Sequence, residues 1–339
     1  MKKDNILEVK GLHKRFTSKG ITVKAVTDVS FCVKPGETIG IVGESGCGKT
    51  TLGRCIVRAY NASEGEVFYR TKGGEELDFL KVDKKKMKEI RKEIQMIFQD
   101  PYSSLDPRMT VLDIIKEPLK ANFPNMSKAE MDQKAKAMAE KVGLNPMYLM
   151  RYPHAFSGGQ RQRIGIARAL VIEPQIIVCD EAVSALDVSI QAQVINLLRD
   201  LQKELKLTYL FISHDLSVVE HISDKVGVMY LGRMVEFAST EELFKKPMHP
   251  YTEALLSAVP VADPSVQMDR IPLKGEIPNP ANPPSGCYFH ERCHYCIEKC
   301  RTDSPVLTEM PDGRVCACHR ARELSLRGFA YEEEAKDQE

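Results

Sequence analysis

The residues with the clearest chemical capacity form a glycine-rich segment near the amino terminus. Residues 43–50 read GESGCGKT and match the pattern G-x-x-x-x-G-K-[ST]. Glycines at this spacing let backbone N–H groups surround phosphate oxygens, and the start of a following helix adds partial positive charge. We expect Lys49 to contact the β- and γ-phosphates of a nucleotide and Thr50 to hold Mg²⁺ through its hydroxyl. The segment follows a predicted strand over residues 38–42 and precedes a predicted helix, which is the context that this motif requires.

Two acidic residues follow a second apolar segment. Residues 176–179 (IIVC) predict a buried strand, and Asp180 and Glu181 come directly after it. Hydrolysis of a nucleotide needs one carboxylate near Mg²⁺ and another that polarises the attacking water. We assign the first role to Asp180 and the second, as general base, to Glu181. His214 follows the next predicted strand, residues 209–212, where it either contacts the γ-phosphate or is only an exposed histidine.

The elements that must position these residues alternate between strands and helices. This order predicts an α/β fold with a mainly parallel sheet, in which ligands lie beyond the carboxyl ends of the strands. The clearest helix is predicted over residues 127–143, because Ser127 and Glu130 fit a capping box and Gly143 is placed to end it. The charged run at 81–93 is interpreted as a solvated helix face. The interleaved acids argue against a lipid or nucleic-acid patch there.

Composition narrows the class of protein. The 339 residues contain 48 Lys and Arg against 47 Asp and Glu, so a nucleic-acid partner is not expected. The sequence contains no run of 18 apolar residues, the length that could span a bilayer. The amino terminus also lacks the apolar core of a signal peptide, so a cytosolic location is expected. Six of the 10 cysteines lie between Cys287 and Cys318. In a reducing compartment this cluster favours a metal site over disulfides.

A further segment identifies a family. Residues 156–163 (FSGGQRQR) resemble the signature motif of ABC ATPases. Other motifs of that family are present in the same order. They are the phosphate loop, Gln99 in the Q-loop, Asp180 and Glu181 in Walker B, residues 184–187 (SALD) in the D-loop, and His214 as the switch histidine. Phe16 occupies the place of an aromatic that stacks on adenine, although it could equally be a core residue.

The resemblance implies a set of site residues. The catalytic residues are Glu181, His214 and Gln99. The nucleotide contacts are Phe16, Gly43, Glu44, Ser45, Gly46, Cys47, Gly48, Lys49, Thr50, Thr51, Gln99 and Asp180, with Ser157, Gly158, Gly159 and Gln160 supplied by the partner subunit. The Mg²⁺ contacts are Thr50, Gln99 and Asp180. Cys47 is either an oxidation-sensitive thiol or an inert buried one.

The resemblance also implies an architecture. We expect a P-loop NTPase core of the RecA-like type with a mixed sheet over residues 1–100 and 160–248. An inserted α-helical subdomain covers residues 101–159, and a proline- and cysteine-rich carboxyl-terminal extension covers 249–339. Partners implied by the family are two membrane permease subunits and a second ATPase subunit, either a paralogue or a second copy of this chain. A substrate-binding protein outside the membrane takes part indirectly, and the chain lies peripherally on the cytoplasmic face of the membrane.

Three segments narrow the resemblance to one branch. Residues 99–108 (QDPYSSLDPR), 151–156 (RYPHAF) and 249–252 (HPYT) resemble the oligopeptide/dipeptide importers. Some members of this branch import nickel or sugars, so the cargo stays open. The alternative is a soluble ABC ATPase without a channel. The sequence shows neither the long coiled coil of repair types nor the second cassette of translation types.

The same branch often carries four cysteines near the carboxyl terminus. By spacing they correspond to Cys287, Cys293, Cys300 and Cys318, and the resemblance implies a four-iron four-sulfur cluster. A structural Zn²⁺ would accept the same ligands, and a segment without metal is a third possibility. Cys296 and Cys316 are additional thiols, and either could substitute as a ligand.

Overall fold

The structure is a computed structural model that describes residues 1–2, 4–260 and 270–329. The sequence predicts a proline-rich stretch over residues 260–286 and a charged, frayed end over residues 331–339. Residues 261–269 of this stretch and the whole of that end lie outside the described residues.

Groups of strands and helices follow one another through the first two thirds of the chain, with single strands and helices alternating from β7 to β9. The strands are β1 (Leu7–Ser18), β2 (Ile21–Val33), β3 (Thr38–Val42), β4 (Glu64–Arg70), β5 (Glu76–Asp78), β6 (Ile94–Ile97), β7 (Ile176–Asp180), β8 (Thr208–Ile212), β9 (Lys225–Tyr230), β10 (Arg233–Ser239), β11 (Thr308–Glu309) and β12 (Val315–Cys316). The helices are α1 (Lys49–Ile56), α2 (Lys84–Glu93), α3 (Val111–Asn122), α4 (Lys128–Lys141), α5 (Gly158–Leu170), α6 (Val188–Leu205), α7 (Leu216–Ile222), α8 (Thr240–Lys245), α9 (Pro250–Ser257) and α10 (Glu298–Thr302). Short 3₁₀ turns cover Pro146–Tyr148, Pro153–Ala155 and His290–Arg292.

The larger sheet has eight strands in the order β11-β12-β10-β9-β3-β8-β7-β6. Strands β9, β3, β8, β7 and β6 run parallel, and β10, β12 and β11 extend this group antiparallel. The expectation of an α/β fold with a mixed sheet is confirmed. Strands β3, β7 and β8 therefore end at the same edge of the sheet, which brings the segments that follow them close together.

Apolar core packs on both faces of this sheet. In β8, Leu210 and Ile212 pack with the residues of β1 and α1, while Tyr209 and Phe211 pack with the helices on the other face. Alternate side chains of a strand point to opposite faces, and both faces here are covered. This explains why these strands have continuous apolar sequences instead of an alternating pattern. The second sheet, β2-β1-β4-β5, is antiparallel.

Helices α3, α4 and α5 pack on one another beside the sheet. Helix α4 confirms the helix predicted over residues 127–143, and Gly143 follows it with a φ of 74°. Of the predicted capping box, the structure shows the Ser127 half, in which the Ser127 side chain accepts a hydrogen bond from the Glu130 N–H. Met131, Ala135 and Met138 form its buried stripe. No helix among the described residues is long and apolar enough to cross a bilayer.

The carboxyl-terminal segment contributes to the core sheet, which the sequence analysis does not predict. Strand β12 pairs with β10 through Glu236 and Cys316, and β11 pairs with β12. Each of these strands has two residues, too few for an alternating pattern to be recognised. The segment is therefore attached to the core by backbone hydrogen bonds as well as by side chains.

Candidate functional site

The glycine-rich loop joins β3 to α1, and its backbone requires glycine. Gly43, Gly46 and Gly48 have φ values of 148°, 78° and 105°, which side chains rarely allow. A Cβ atom on Gly48 would lie 2.1 Å from the Ala25 carbonyl oxygen, and one on Gly43 would lie 2.2 Å from that of Met229. The loop therefore packs closely against neighbouring backbone, which fixes the direction of its N–H groups.

A cavity of about 430 Å³ opens at this loop, a volume typical of small-molecule sites. The loop and the start of α1 contribute Ser45, Gly46, Gly48, Lys49, Thr50 and Thr51 to its wall. Gln99, Glu181 and His214 also line the cavity. The structure thus brings the three residues predicted to be catalytic together with the phosphate loop, from segments far apart in the sequence.

Lys49 is held inside the loop. Its side chain is buried, with 4% of the residue exposed, and Nζ donates hydrogen bonds to the carbonyl oxygens of Gly43 at 2.7 Å and Glu44 at 3.0 Å. These acceptors are neutral, so the ammonium charge is not balanced by an ion pair with any described residue. An anionic phosphate at this position would supply the missing charge.

Thr50 and Asp180 form the second feature of the site. The Thr50 hydroxyl donates a hydrogen bond of 2.7 Å to Asp180 Oδ1. Burial raises the pKa of the Asp180 carboxyl, and the hydrogen bond from Thr50 opposes that rise. A divalent cation beside these two oxygens would favour the ionised carboxylate. The pair therefore offers the hard oxygen donors that suit Mg²⁺.

Glu181 lies between Gln99 and His214. Its Oε2 accepts a hydrogen bond of 2.8 Å from Gln99 Nε2 and lies 3.4 Å from His214 Nδ1. The backbone of Glu181 has a φ of 47°, a left-handed conformation that is strained for residues other than glycine. Its N–H donates to the Ile212 carbonyl at 3.0 Å, so β8 holds this conformation and turns the carboxylate toward the cavity.

Comparison with known proteins identifies the family. Residues 26–184 match the family described as ABC transporter, and residues 235–300 match the oligopeptide/dipeptide transporter C-terminal region. The chain is 53% identical over 326 residues to the oligopeptide transport ATP-binding protein AppF of Bacillus subtilis (strain 168), covering 93% of this chain and 97% of that protein. It is 54% identical over 305 residues to the oligopeptide transport ATP-binding protein OppF of Haemophilus influenzae, with 89% and 90% covered. The chain belongs to the ATP-binding subunits of ABC transporters.

A solved structure agrees with this identification. The dimeric, post-hydrolysis structure of the ATP-binding cassette MJ0796 bound to ADP and Pi matches with a TM-score of 0.62 and 27% identity, covering 69% of this chain and 98% of that one. The ABC ATPase fold predicted from the motifs is confirmed. The chain is an ATP hydrolase of the ABC class, and ATP and Mg²⁺ are its substrate and cofactor.

The signature residues of this ABC ATPase lie apart from the cavity. Ser157 caps the start of α5 and is exposed. Its side chain accepts from the Gln160 N–H while the Gln160 side chain accepts from the Ser157 N–H. A Cβ atom on Gly159 would lie 2.4 Å from Ile190 Cγ2, so glycine lets α5 approach α6 there. Ser157, Gly158, Gly159 and Gln160 are not among the residues that line the cavity.

Phe16 is also not brought to the cavity wall. It is 38% exposed and packs edge-on against Tyr60, with the ring centroids 5.4 Å apart, while Lys14 Nζ lies 4.6 Å from the Phe16 ring centroid. Val23, which pairs with Phe16 across β1 and β2, lines the cavity instead.

Several lining residues carry no recognisable signal in the sequence. They are Val23, Lys24, Ala25, Leu231, Gly232 and Pro280. Pro280 comes from the proline-rich stretch, and its carbonyl accepts a hydrogen bond of 3.4 Å from the Lys24 N–H. Only the folded chain brings this stretch to the nucleotide cavity, so no local motif could indicate it.

Three residues of the loop do not line the cavity. Gly43, Glu44 and Cys47 are absent from its wall. Cys47 is 3% exposed, and burial raises the pKa of its thiol. Of the two interpretations of Cys47, the structure favours the buried, inert thiol.

The four cysteines selected by spacing share one small cavity in the carboxyl-terminal segment. Cys287, Cys293, Cys300 and Cys318 line it, together with His249 and His319. Burial raises the pKa of the Cys287 and Cys293 thiols to about 12 each. Cys296 and Cys316 are not among the lining residues. Within residues 1–2, 4–260 and 270–329, no group of three or more His, Cys, Asp or Glu side chains is arranged as a metal site.

Proposed function

We propose that this chain powers the uptake of oligopeptides or dipeptides across the cytoplasmic membrane. The observation that carries the proposal is the match of residues 235–300 to the C-terminal region of oligopeptide/dipeptide transporters. The names of its relatives support the same cargo class. The chain would act peripherally on the cytoplasmic face of the membrane, and a substrate-binding protein would deliver peptide on the other side.

The residues of the cavity divide the hydrolytic work. Lys49 would bind the β- and γ-phosphates, so that its ammonium group contacts an anion in place of the neutral carbonyl oxygens of Gly43 and Glu44. Thr50, Asp180 and Gln99 would hold Mg²⁺, which would supply charge stabilisation for the phosphates of ATP. Glu181 would orient and deprotonate the attacking water, with Gln99 and His214 fixing its carboxylate. Phe16, next to the cavity on β1, would contact the adenine.

Two such chains, or this chain and a paralogue, would form the complete site. Ser157, Gly158, Gly159 and Gln160 stand outside the cavity at the start of α5, where Ser157 and Gln160 are exposed and Gly159 is buried. This helix start is therefore available to a nucleotide held by another subunit. The N-terminus of α5 would add partial positive charge near that γ-phosphate. Each subunit would therefore contribute one half of two ATP sites.

A second cavity suggests where the permease subunits bind. It has a volume of about 570 Å³ and is lined by residues of the core and of the helical region, among them Phe98, Gln99, Glu117 and Arg168. Gln99 lines both this cavity and the ATP cavity. We propose that permease helices dock here and that Gln99 links them to the ATP site. This fits a division into a core (1–100 and 160–248), a helical subdomain (101–159) and an extension (249–339).

Co-expression with the neighbouring permease and ATPase genes tests the function. We expect this chain to copurify with permease subunits, and reconstituted vesicles to take up a labelled oligopeptide in the presence of ATP and the binding protein. Uptake should stop when ATP is replaced by a non-hydrolysable analogue. An ATPase that is fully active alone and never copurifies with membrane subunits would instead support the soluble ABC alternative.

We propose that the cysteine cavity holds a four-iron four-sulfur cluster, with Zn²⁺ as the alternative occupant. Four thiols from separated positions meet in one cavity, and Cys₄ ligation suits both groups. Because the surrounding segment contains little regular structure, a bound group would stabilise it through its ligands.

Replacing Cys293 with serine should remove the bound group and lower the melting temperature. Anaerobic purification, iron, sulfide and zinc analysis and the visible absorption spectrum would measure the occupant. Cys296→Ser is the matched control, because Cys296 lies in the same segment but outside the cavity. Equal metal content in the two variants, or none in the anaerobically purified wild type, would contradict the proposal.

A further inference from the structure

The phosphate loop is joined to the carboxyl-terminal segment by an ion pair. Arg292 donates two hydrogen bonds to the Glu44 carboxylate, from Nη1 to Oε2 at 2.7 Å and from Nη2 to Oε1 at 3.0 Å. The two residues are separated by 248 positions, and their side chains are 7% and 23% exposed. Exposed ion pairs contribute little to stability, but a bidentate, largely buried pair also fixes orientation.

Other contacts hold Arg292 in place. Its Nε donates to the Lys274 carbonyl at 3.3 Å, and Nη1 lies 3.4 Å from the Tyr230 hydroxyl. Arg292 also directly precedes Cys293 in the chain. A backbone carbonyl of the extension and a tyrosine of β9 therefore fix the guanidinium in addition to Glu44.

The carboxyl-terminal extension also contacts the backbone of Glu44. The Glu44 N–H donates a hydrogen bond of 2.8 Å to the Tyr251 hydroxyl, and Tyr251 is fully buried. The Glu44 carbonyl in turn accepts from Lys49 Nζ at 3.0 Å. Glu44 is thus held through its side chain and its backbone, and it supplies one of the two acceptors that place Lys49.

We infer that Arg292 is a positioning residue for the phosphate loop: by pairing with Glu44 it orients the loop around Lys49 and neutralises a carboxylate next to the place where ATP phosphates bind. The inference rests on the proposed binding of ATP by this loop. Without Arg292, the Glu44 carboxylate would lack its partner and would repel the phosphates. ATP affinity consequently depends on a residue of the carboxyl-terminal extension that never contacts the nucleotide.

The test measures the Kd for MgATP by calorimetry on the full chain. For Arg292→Met we expect ATP binding to weaken about tenfold. Arg292→Lys should lie between this variant and the wild type, because an ammonium keeps the charge but cannot form the bidentate pair. Arg292→Met combined with Glu44→Gln should recover roughly threefold of the loss, because the unpaired charge is removed.

Arg314→Met is the matched control. Arg314 is a poorly exposed arginine of the same extension and pairs with Asp312. The Kd of the Arg314→Met variant for MgATP should stay within about twofold of the wild-type value. If the role of Arg292 were purely structural, the double variant would bind MgATP as weakly as Arg292→Met does. Wild-type affinity in Arg292→Met would also overturn the inference, as would wild-type affinity in Arg292→Lys if Arg292→Met cannot be purified. A wild-type chain that does not bind ATP would instead contradict the proposed function.

Discussion

Replacing Glu181 with glutamine should slow ATP hydrolysis strongly while ATP binding is retained. A positioned general base contributes roughly 10² to 10⁴ in rate, so kcat should fall by about that factor. The glutamine side chain has nearly the same shape, and its amide oxygen can still accept the hydrogen bond from Gln99. Because hydrolysis no longer separates the ATP-bound subunits, the variant should accumulate as an ATP-bound dimer or heterodimer. Phosphate release and size-exclusion chromatography with MgATP would measure the two effects.

Glu173→Gln is the matched control for this result. Glu173 also has a left-handed backbone, with a φ of 55°, but it is exposed and does not line the cavity. This variant should hydrolyse ATP at the wild-type rate. Retention of hydrolysis in Glu181→Gln would assign the base to another group, and equal losses in both variants would point to a general effect on folding.

The part of the site predicted from the sequence is the part that parallel strands bring together. Asp180 ends β7 and Glu181 directly follows it, His214 lies two residues after the end of β8, and the phosphate loop follows β3. Parallel strands end at the same edge of a sheet, so their local sequence order already implies that these residues meet. The strength of the prediction comes from this topology and not from any single residue.

The contacts that the sequence did not predict join segments that no periodic pattern connects. Pro280 reaches the ATP cavity, and Arg292 reaches Glu44 across 248 positions. Strands β11 and β12 have two residues each, so they carry no alternation. Such contacts depend on how the extension folds over the core, which side-chain spacing within one segment does not determine.

The predicted role of the signature residues is not visible in one chain, and the physical reason differs from that for the extension. Sequence motifs place Ser157 in an ATP site, yet Ser157 is exposed and lies away from the cavity of its own chain. A motif that acts on a neighbouring subunit cannot be located by the geometry of one chain. The prediction that Ser157 contacts ATP therefore stays tied to the proposed pairing of two ATPase subunits.

Replacing Lys49 with methionine should strongly weaken ATP binding with little loss of fold stability. In the wild type, the buried ammonium has two carbonyl acceptors and no ion pair with a described residue, so its desolvation is only partly compensated. ATP phosphates would complete this compensation, and losing the charge-assisted contacts should weaken MgATP binding about 100-fold. Methionine removes the buried charge while leaving two carbonyl groups without a donor. These opposing terms should keep the free energy of unfolding within about 1.5 kcal/mol of the wild type.

Lys116→Met should show the reverse behaviour. Lys116 is equally buried, at 4% exposure, but pairs with Asp132 at 2.6 Å and Asp113 at 3.3 Å, away from the cavity. Its loss leaves Asp132 without its lysine partner, whereas Asp113 keeps Lys120 at 3.4 Å. The unfolding free energy should therefore fall by about 1–3 kcal/mol while the Kd for MgATP stays unchanged. Denaturant unfolding and calorimetry on both variants would separate these effects. If Lys49→Met bound MgATP as tightly as Lys116→Met, the loop lysine would not be the phosphate ligand. The two buried lysines would then differ only in how they stabilise the fold.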